Sequence, residues 1–561
     1  MTRPSHVQIQ LAVTLLFAML LTAALVIAKP PTPGACQRMV IASSAEKFGM
    51  LQDFAAGYNR SAGSVASPCV SVVVEQVNSG DAELALEQGW RGQSAERPDV
   101  WAPASSAWVN LLRSNAPSVL PLSRAPSMFK SPLVIGMPKP MAEALGYPNR
   151  PIGWNDIFAL VNNPAGWGAA GNPQWGQFKL GTTNPTVSTS GLHALIGAYF
   201  AAGGSDLTVP RVNSAPVHDF VAGVEQGVVH YGETAADFLT NLRDASDHGQ
   251  GLLYMSAVAL EEQELVDYNA GVIGGVDHGG APRDSLVPIY PSGGTPVADH
   301  PYVVLNLDRQ VAAQDFLTYL AQPAQQVVID RHGFRMVGSV DRGEVGSLLS
   351  KQQFIDSNQP ALVLQPPEGT VLKAMLLAWQ SLRKRARVLI LVDAAADSAL
   401  LKQATARLAD AVSRFNPTDQ AGVWVFPAPA GYATPNIESV PVGQVSSELS
   451  TTLKGIAHTG DRSDVAKSLR AAIDWMTATY DPRAIDAVLL VEMSPGDSTP
   501  DDQLMEQYLR NQPADRFVRV FTVGPDGAPS ARLQDYSRAG KGVAYQPGSA
   551  SHLLNDVISN F

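Results

Sequence analysis

The sequence predicts an α/β protein: an apolar N-terminal helix, then two successive open sheets, the second of them doubly wound and Rossmann-like. Three observations predict it. From residue 36 to about 340, strand-like runs alternate with helix-like ones, the order that builds a parallel sheet with crossover helices. A second alternation starts at Arg387 and continues for the rest of the chain, and ahead of both lies the apolar run Leu11 to Ala28.

The N-terminal run, LAVTLLFAMLLTAALVIA, is extended by Val7 and Ile9 towards the ~20 residues that a spanning helix needs. A cleaved signal peptide is the alternative, since Arg3 precedes the run and Val26-Ile27-Ala28 offers a cleavage site. Lys29-Pro30-Pro31 favours the uncleaved anchor, and a lipoprotein anchor at Cys36 is disfavoured by its distance from the run. The expected location is the cell membrane, single-pass, with everything after Pro30 outside the cytoplasm. Cys36 and Cys69, the 2 cysteines of the chain, both fall in the exported part. Each precedes a β-branched run, and a structural disulfide between them is expected in an oxidising compartment.

With 561 residues the chain has room for two or three domains. Its 45% hydrophobic and 16% charged residues place it in the globular class. A formal charge of -11 without a dominant basic cluster argues against nucleic acid.

In the first alternation, MVIASS is followed by an amphipathic run from Ala45 to Tyr58, then VSVVVEQV, a helix from Asp81 to Gly92, and DVWAP. Pro, Gly and Trp crowd residues 146–176, which read as a surface decoration. A helix from Val311 to Ile329 leads to Gly333-Phe334-Arg335, and residues 341–370, with Pro366-Pro367, read as a linker. Ligands of open parallel sheets sit beyond the carboxyl ends of strands, where helix N-termini offer free N–H groups. Three Ser-rich loops stand at such places: Ser43-Ser44, Ser105-Ser106, and Ser188 to Ser190. They hold no Arg or Lys, so an oxyanion there relies on hydroxyls and backbone N–H groups, and helix capping explains the serines equally.

The segments SSAEKFGMLQDFAAGYN, RPDVWAPASSAW, GTTNPTVSTSGLHAL, YGETAADF, YPSGGTPVADHPYVVL and RHGFR, in this order, resemble the extracellular solute-binding proteins of ABC transporters, with the type II periplasmic binding fold. The resemblance covers residues 36–340. It implies two lobes joined by crossing strands and closing over a small ligand, with Ser43, Ser44, Ser106, Ser188 and Ser190 in the ligand loops. Glu233 and Tyr290 would contribute to the hinge or cleft, and the ligand would be a small polar solute or an oxyanion.

From Arg387 the pattern runs RVLILVD, a helix from Ser398 to Phe415, GVWVF, a polar excursion to Thr459, a helix from Asp464 to Tyr480, AVLLVEM, a helix from Asp501 to Asn511, VRVFTV, then a short helix, a strand and a terminal helix. RVLILVD and the loop GDRSDVAKSL resemble the von Willebrand factor A (VWA) domain, giving residues 371–561 as a VWA-like unit. That family holds a divalent cation through an Asp-x-Ser-x-Ser loop, a Thr and a further Asp. Here the corresponding residues are Asp393, Ala395, Asp397, Ser463 and Met493, with Glu492 and Asp497 nearby. Hard cations need more oxygens than this set offers. The expected site is degenerate: no cofactor, with Mg2+ or Mn2+ as the alternative.

No nucleophile elbow, zinc motif or phosphate loop is present; His193, His218 and His230 lack ligand spacing, and Glu261-Glu262 and Asp501-Asp502 lie at helix starts, where the macrodipole accounts for them. The expected function is non-enzymatic, a membrane-anchored adaptor joining solute or partner binding to an envelope protein through the VWA-like unit. A solute receptor for an ABC-type transporter and a cell-envelope enzyme are the alternatives.

Overall fold

The computed structural model describes residues 36–61, 70–91, 95–352, 354–395, 398–412, 415–426, 434–435, 440–459, 464–494, 499–525 and 530–545. The N-terminal anchor and the terminal helix expected from the sequence lie outside them. Among the described residues no helix is long and apolar enough to cross a membrane.

The first lobe is laid down by three parallel strands, β1 (Gln37–Ser43), β2 (Val70–Gln76) and β3 (Val100–Ala102), with β1 central. β1 and β3 are buried along nearly their whole length, as parallel strands covered on both faces are. The chain then crosses to a second sheet. This contains β4 (Ser131–Pro138), β5 (Leu180–Thr183), β6 (Val228–Gly232) and β7 (Ala257–Glu261), a small hairpin apart from it (β8, Val272–Ile273; β9, Val276–Asp277), and then β10 (Leu286–Ile289) and β11 (Thr295–Ala298). β12 (Val303–Val304) returns to pair antiparallel with β3. The two crossings run side by side: Met128 donates its N–H to His300 O at 3.0 Å and Tyr302 donates to Pro126 O at 2.8 Å. This short antiparallel pairing is the hinge between the lobes.

The helices Gln310–Leu320 and Pro323–Arg331 pack back on the first lobe, where Phe316 and Ile329 join Met39, Ile41 and Phe129 in one core. The sequence predicts one helix over Val311 to Ile329; the chain forms two, and Pro323, which cannot donate an N–H, starts the second. Residues 146–176 are also more than decoration. The helix Trp154–Val161 buries Trp154, Ile157 and Leu160, spaced to fall on one face. Trp167 is fully buried and its indole N–H donates to Ser256 Oγ at 2.8 Å.

Within 341–370, β13 (Val363–Leu364) adds in parallel to β11, and the helix Gly369–Leu382 lies against the helix Ser106–Asn115. A Cβ at Gly369 would stand 2.2 Å from Asn110 O, so glycine permits the approach.

The last unit is one parallel sheet of β14 (Arg385–Asp393), β15 (Gln420–Phe426), β18 (Ala484–Val491), β19 (Arg519–Val523) and β20 (Lys541–Tyr545), in the order β15-β14-β18-β19-β20. Counted within the unit this is 2-1-3-4-5, a doubly wound order whose switch point lies between β14 and β18. Two short strands, β16 (Thr434–Pro435) and β17 (Val440–Pro441), pair antiparallel with β15. The polar excursion before Thr459 contains the helix Val442–Lys454, which buries Leu449 and Leu453.

Candidate functional site in the cleft between the lobes

The strand ends of the two lobes face each other across a narrow cleft of about 30 Å³, partly open to solvent. Ser44, Ser188, Ser190 and Glu233 line it, brought from three separate loops. Ser44 follows β1 and its hydroxyl donates to Glu46 Oε1 at 2.6 Å. Ser188 is the N-cap residue of the helix Thr189–Gly203, and Ser190 Oγ lies 3.4 Å from Glu264 Oε2. Glu233, just past β6, accepts from Asn78 Nδ2 at 2.6 Å.

The other three expected residues are not on this surface. Ser43 is fully buried and its hydroxyl donates to Ser44 O at 3.1 Å. Ser106 gives its backbone N–H to Asp299 Oδ1 at 2.7 Å, while the neighbouring Ser105 caps the helix and meets His193 Nε2 at 2.8 Å. Tyr290 donates to Glu262, the carboxylate that Arg335 grips from Nε at 2.7 Å and Nη2 at 2.5 Å. Both ends of that ion pair are fully buried, so Tyr290 belongs to a structural cluster.

Sequence reasoning missed the acidic floor. Glu46, Glu261 and Glu264 line the cleft beside the serines. Glu261 caps the helix Glu262–Ala270 and Glu264 closes the capping box, accepting the Glu261 N–H at 3.0 Å. The pair Glu261-Glu262 does stand at a helix start, but the start is buried. Burial, then the charges of Glu46 and Glu264, push the Glu261 carboxyl well above the usual range. Burial raises Glu264 to about 8 and, with Asp237 and Asp81, Glu233 to about 7. Lys47, also fully buried, reaches Glu46 at 2.8 Å and Ser44.

His300 stands at the hinge between these carboxylates. Its Nδ1 is 3.6 Å from Glu46 of the first lobe and its Nε2 is 3.2 Å from Glu261 of the second. Neither ring nitrogen has a hydrogen-bond partner, nor does Glu261 Oε2, although all three are buried. Burial, with Lys47 and His193, holds the imidazole far below its usual pKa, and therefore neutral. Its backbone is in the left-handed region at φ 41, uncommon outside glycine and a mark of a constrained position. One donor atom each from Glu46, Glu261 and His300 lie within 4.8 Å of one another, a spacing that suits a cation shared across the lobes.

The expected metal residues of the last unit divide differently. Asp397, Ser463 and Asp497 lie outside the described residues. Asp393, buried at the end of β14, accepts the Ala395 N–H at 2.9 Å. Met493 is buried, and the adjacent Glu492 carboxylate is taken by the guanidinium of Arg532. An arginine already pairs with Glu492, the carboxylate that Asp393 acts on, so the described donors do not fit a divalent cation there.

Two lobes, a hinge of paired crossing segments and a polar cleft are the architecture of a binding protein. The chain belongs to the family of bacterial extracellular solute-binding proteins, which matches residues 39–335. Membership places it outside the cytoplasm and in a class that recognises small solutes. Similar solved structures include the periplasmic binding protein AfuA from Actinobacillus pleuropneumoniae with fructose-6-phosphate bound (15% identity, TM-score 0.42, covering 62% of this chain and 99% of that one). The ferric binding protein from Campylobacter jejuni is another (13%, 0.40, 60% and 96%), as is maltose-bound MalE3 of T. maritima (11%, 0.38, 62% and 94%). No curated protein matches the chain.

Proposed function

We propose that the protein is a solute receptor of an ABC-type transporter whose lobes close on a small cation, a divalent transition-metal ion foremost. The observation that carries this reading is His300, buried without a hydrogen-bond partner at the hinge, within 3.6 Å of a carboxylate from each lobe. Imidazole nitrogen with carboxylate oxygens is a donor set for first-row metals. Glu46, Glu261 and Glu264 against Lys47, the one cation paired with them among the described residues, leave the floor with a deficit of positive charge that a divalent ion meets. The same carboxylates repel the oxyanion that hydroxyl-rich loops alone would suggest. In the ion's absence protons supply the charge, so binding releases protons and tightens as pH rises.

Calorimetry on the purified full chain with MnCl2, ZnCl2, glucose and inorganic phosphate tests this. Manganese or zinc should bind with proton release, and His300→Asn, which tolerates the left-handed backbone, should weaken it at least about tenfold. Binding of glucose or phosphate with no response to either metal would replace the cation by that ligand class.

The remaining divisions of the chain are part of the same proposal. Residues 1–35 carry the membrane anchor, 36–340 the receptor body, 341–370 the connection and 371–561 a VWA-like unit without a cation of its own. Supporting the last is the doubly wound order with Asp393 at its switch point. An adaptor role towards an envelope protein is the reading of that unit. The bond Cys36–Cys69 is favoured by the register of β1 and β2, in which Gln37 and Val70, the residues following the two cysteines, are partners.

A further inference from the structure

A second and larger pocket, of about 590 Å³, lies where the receptor body meets the last sheet. That volume is in the range of sites for drug-sized ligands. Its walls come from both sides of the junction: Trp175 and Lys179 from the second lobe, Tyr480, Phe517 and Arg519 from the last unit, and Lys384 from the segment joining them.

The charges on these walls are mainly positive. Lys179 Nζ donates to Leu253 O at 2.6 Å and Ala514 O at 3.1 Å, and Lys384 Nζ to Val228 O at 3.3 Å. The buried Arg519 donates from Nε to Val229 O at 2.9 Å and from Nη1 to Lys541 O at 3.2 Å. All five acceptors are backbone carbonyls. Among the described residues, none of the three cations has a carboxylate within ion-pair distance, although a buried charge such as Arg519 is ordinarily paired. The carboxylates on the pocket wall act on the lysines only from beyond ion-pair distance: Asp486 is held by Arg387 at 2.5 Å, and the exposed Asp515 sits by Arg516. The remaining cations of the wall, Arg510 and Lys541, are satisfied by Asp244. Burial and the neighbouring Arg519 charge push both Lys179 and Lys384 down to about 8, outweighing the opposing pull of Asp515 on the first and of Asp486 and Asp481 on the second.

We propose that this pocket binds a small organic dianion, a phosphate monoester carrying a flat ring. The phosphate is held among Lys179, Lys384 and Arg519, and the ring lies against the half-buried Trp175, Tyr480 and Phe517. Ammonium and guanidinium groups recognise phosphate by charge-assisted hydrogen bonds, and aromatic walls contribute stacking. A dianion balances three cations better than a monoanion does. Because the ligand touches both sides of the junction, its binding fixes the last unit on the receptor body, and this site is independent of the cation in the cleft.

The probe is phenyl phosphate, titrated calorimetrically into the full chain, with inorganic phosphate and phenol as its two halves. Phenyl phosphate should bind and raise the melting temperature, each half binding at least about tenfold more weakly. Lys179→Gln and Lys384→Gln should each lower the affinity about tenfold, while Lys139→Gln, at an exposed lysine elsewhere, should leave it unchanged. Lys179 is only partly buried, so its variant carries the test if Lys384→Gln does not fold. No binding of phenyl phosphate, equal binding of inorganic phosphate, or an equal loss in Lys139→Gln would each overturn the proposal. Failure of manganese and zinc to bind in the cleft would leave it standing.

Discussion

Replacing Glu264 by Gln should remove a pH-dependent weakness from the fold. In the folded chain the Glu264 carboxyl titrates at about 8 against 4.5 for an ordinary glutamate, chiefly because it is buried. The native state therefore holds a proton that the unfolded chain gives up, and stability falls as pH rises from about 4.5 to about 8. At about 1.4 kcal/mol per pH unit the shift corresponds to about 5 kcal/mol, and solvent reaching the partly exposed carboxyl reduces this to about 3 kcal/mol. Glutamine keeps the volume and its amide oxygen still accepts the Glu261 N–H of the capping box. Urea unfolding of wild type and Glu264→Gln, free of metal, should give equal stabilities near pH 4 and a variant more stable by about 3 kcal/mol at pH 8. Glu261, which the Glu264 charge raises, shifts with the exchange, so the difference reports this coupled pair, while carboxyls away from it cancel. Parallel curves across this window would refute the claim that a half-buried, proton-holding carboxyl forms part of the cleft floor.

Arg335→Met should cost about 3–5 kcal/mol, because it leaves Glu262 charged in a site with no solvent; the additional Glu262→Gln exchange should return part of the loss, read by urea unfolding as a double-mutant cycle. Cys36 and Cys69 should resist alkylation in the folded and in the urea-unfolded oxidised chain and take up two labels only after reduction, read by mass spectrometry; labelling of the unreduced, unfolded chain would exclude the bond.

The alternation of strands and helices was legible because each buried parallel strand is a continuous apolar run, as in RVLILVD, and each helix has one apolar face. Crowding by Pro and Gly misled at residues 146–176: backbone punctuation says where the chain turns, while Trp154 and Trp167 point inward between those turns. The Ser-rich loops found one side of the cleft, since Ser44, Ser188 and Ser190 follow directly from strand-to-helix order. Its acidic side was not legible. Glu261 and Glu264 have the spacing of an ordinary capping box, and only the approach of Glu46 from the other lobe makes that box a charged floor. His300 lies within the segment YPSGGTPVADHPYVVL but has no ligand spacing there, and its position at the hinge is set by the pairing of segments far apart in sequence.

Two strand-end acidic sites in this chain have met the same electrostatic problem differently. At the switch point of the last sheet, Glu492 and the nearby Asp393 share a buried region, and burial raises Glu492 to about 7 even with Arg532 bound to it. The guanidinium belongs to the chain, so its charge is present at every pH and in every medium, and an external cation there would add charge to a site already served. In the cleft the corresponding acids face a neutral imidazole with both nitrogens unbonded and one lysine between several carboxylates. Charge is deficient there and the donors come from opposite lobes, so whatever supplies it, proton or metal, also bears on how the lobes sit about the hinge. An internal cation suits a unit that keeps one shape; an exchangeable one suits a receptor that must open to release what it holds.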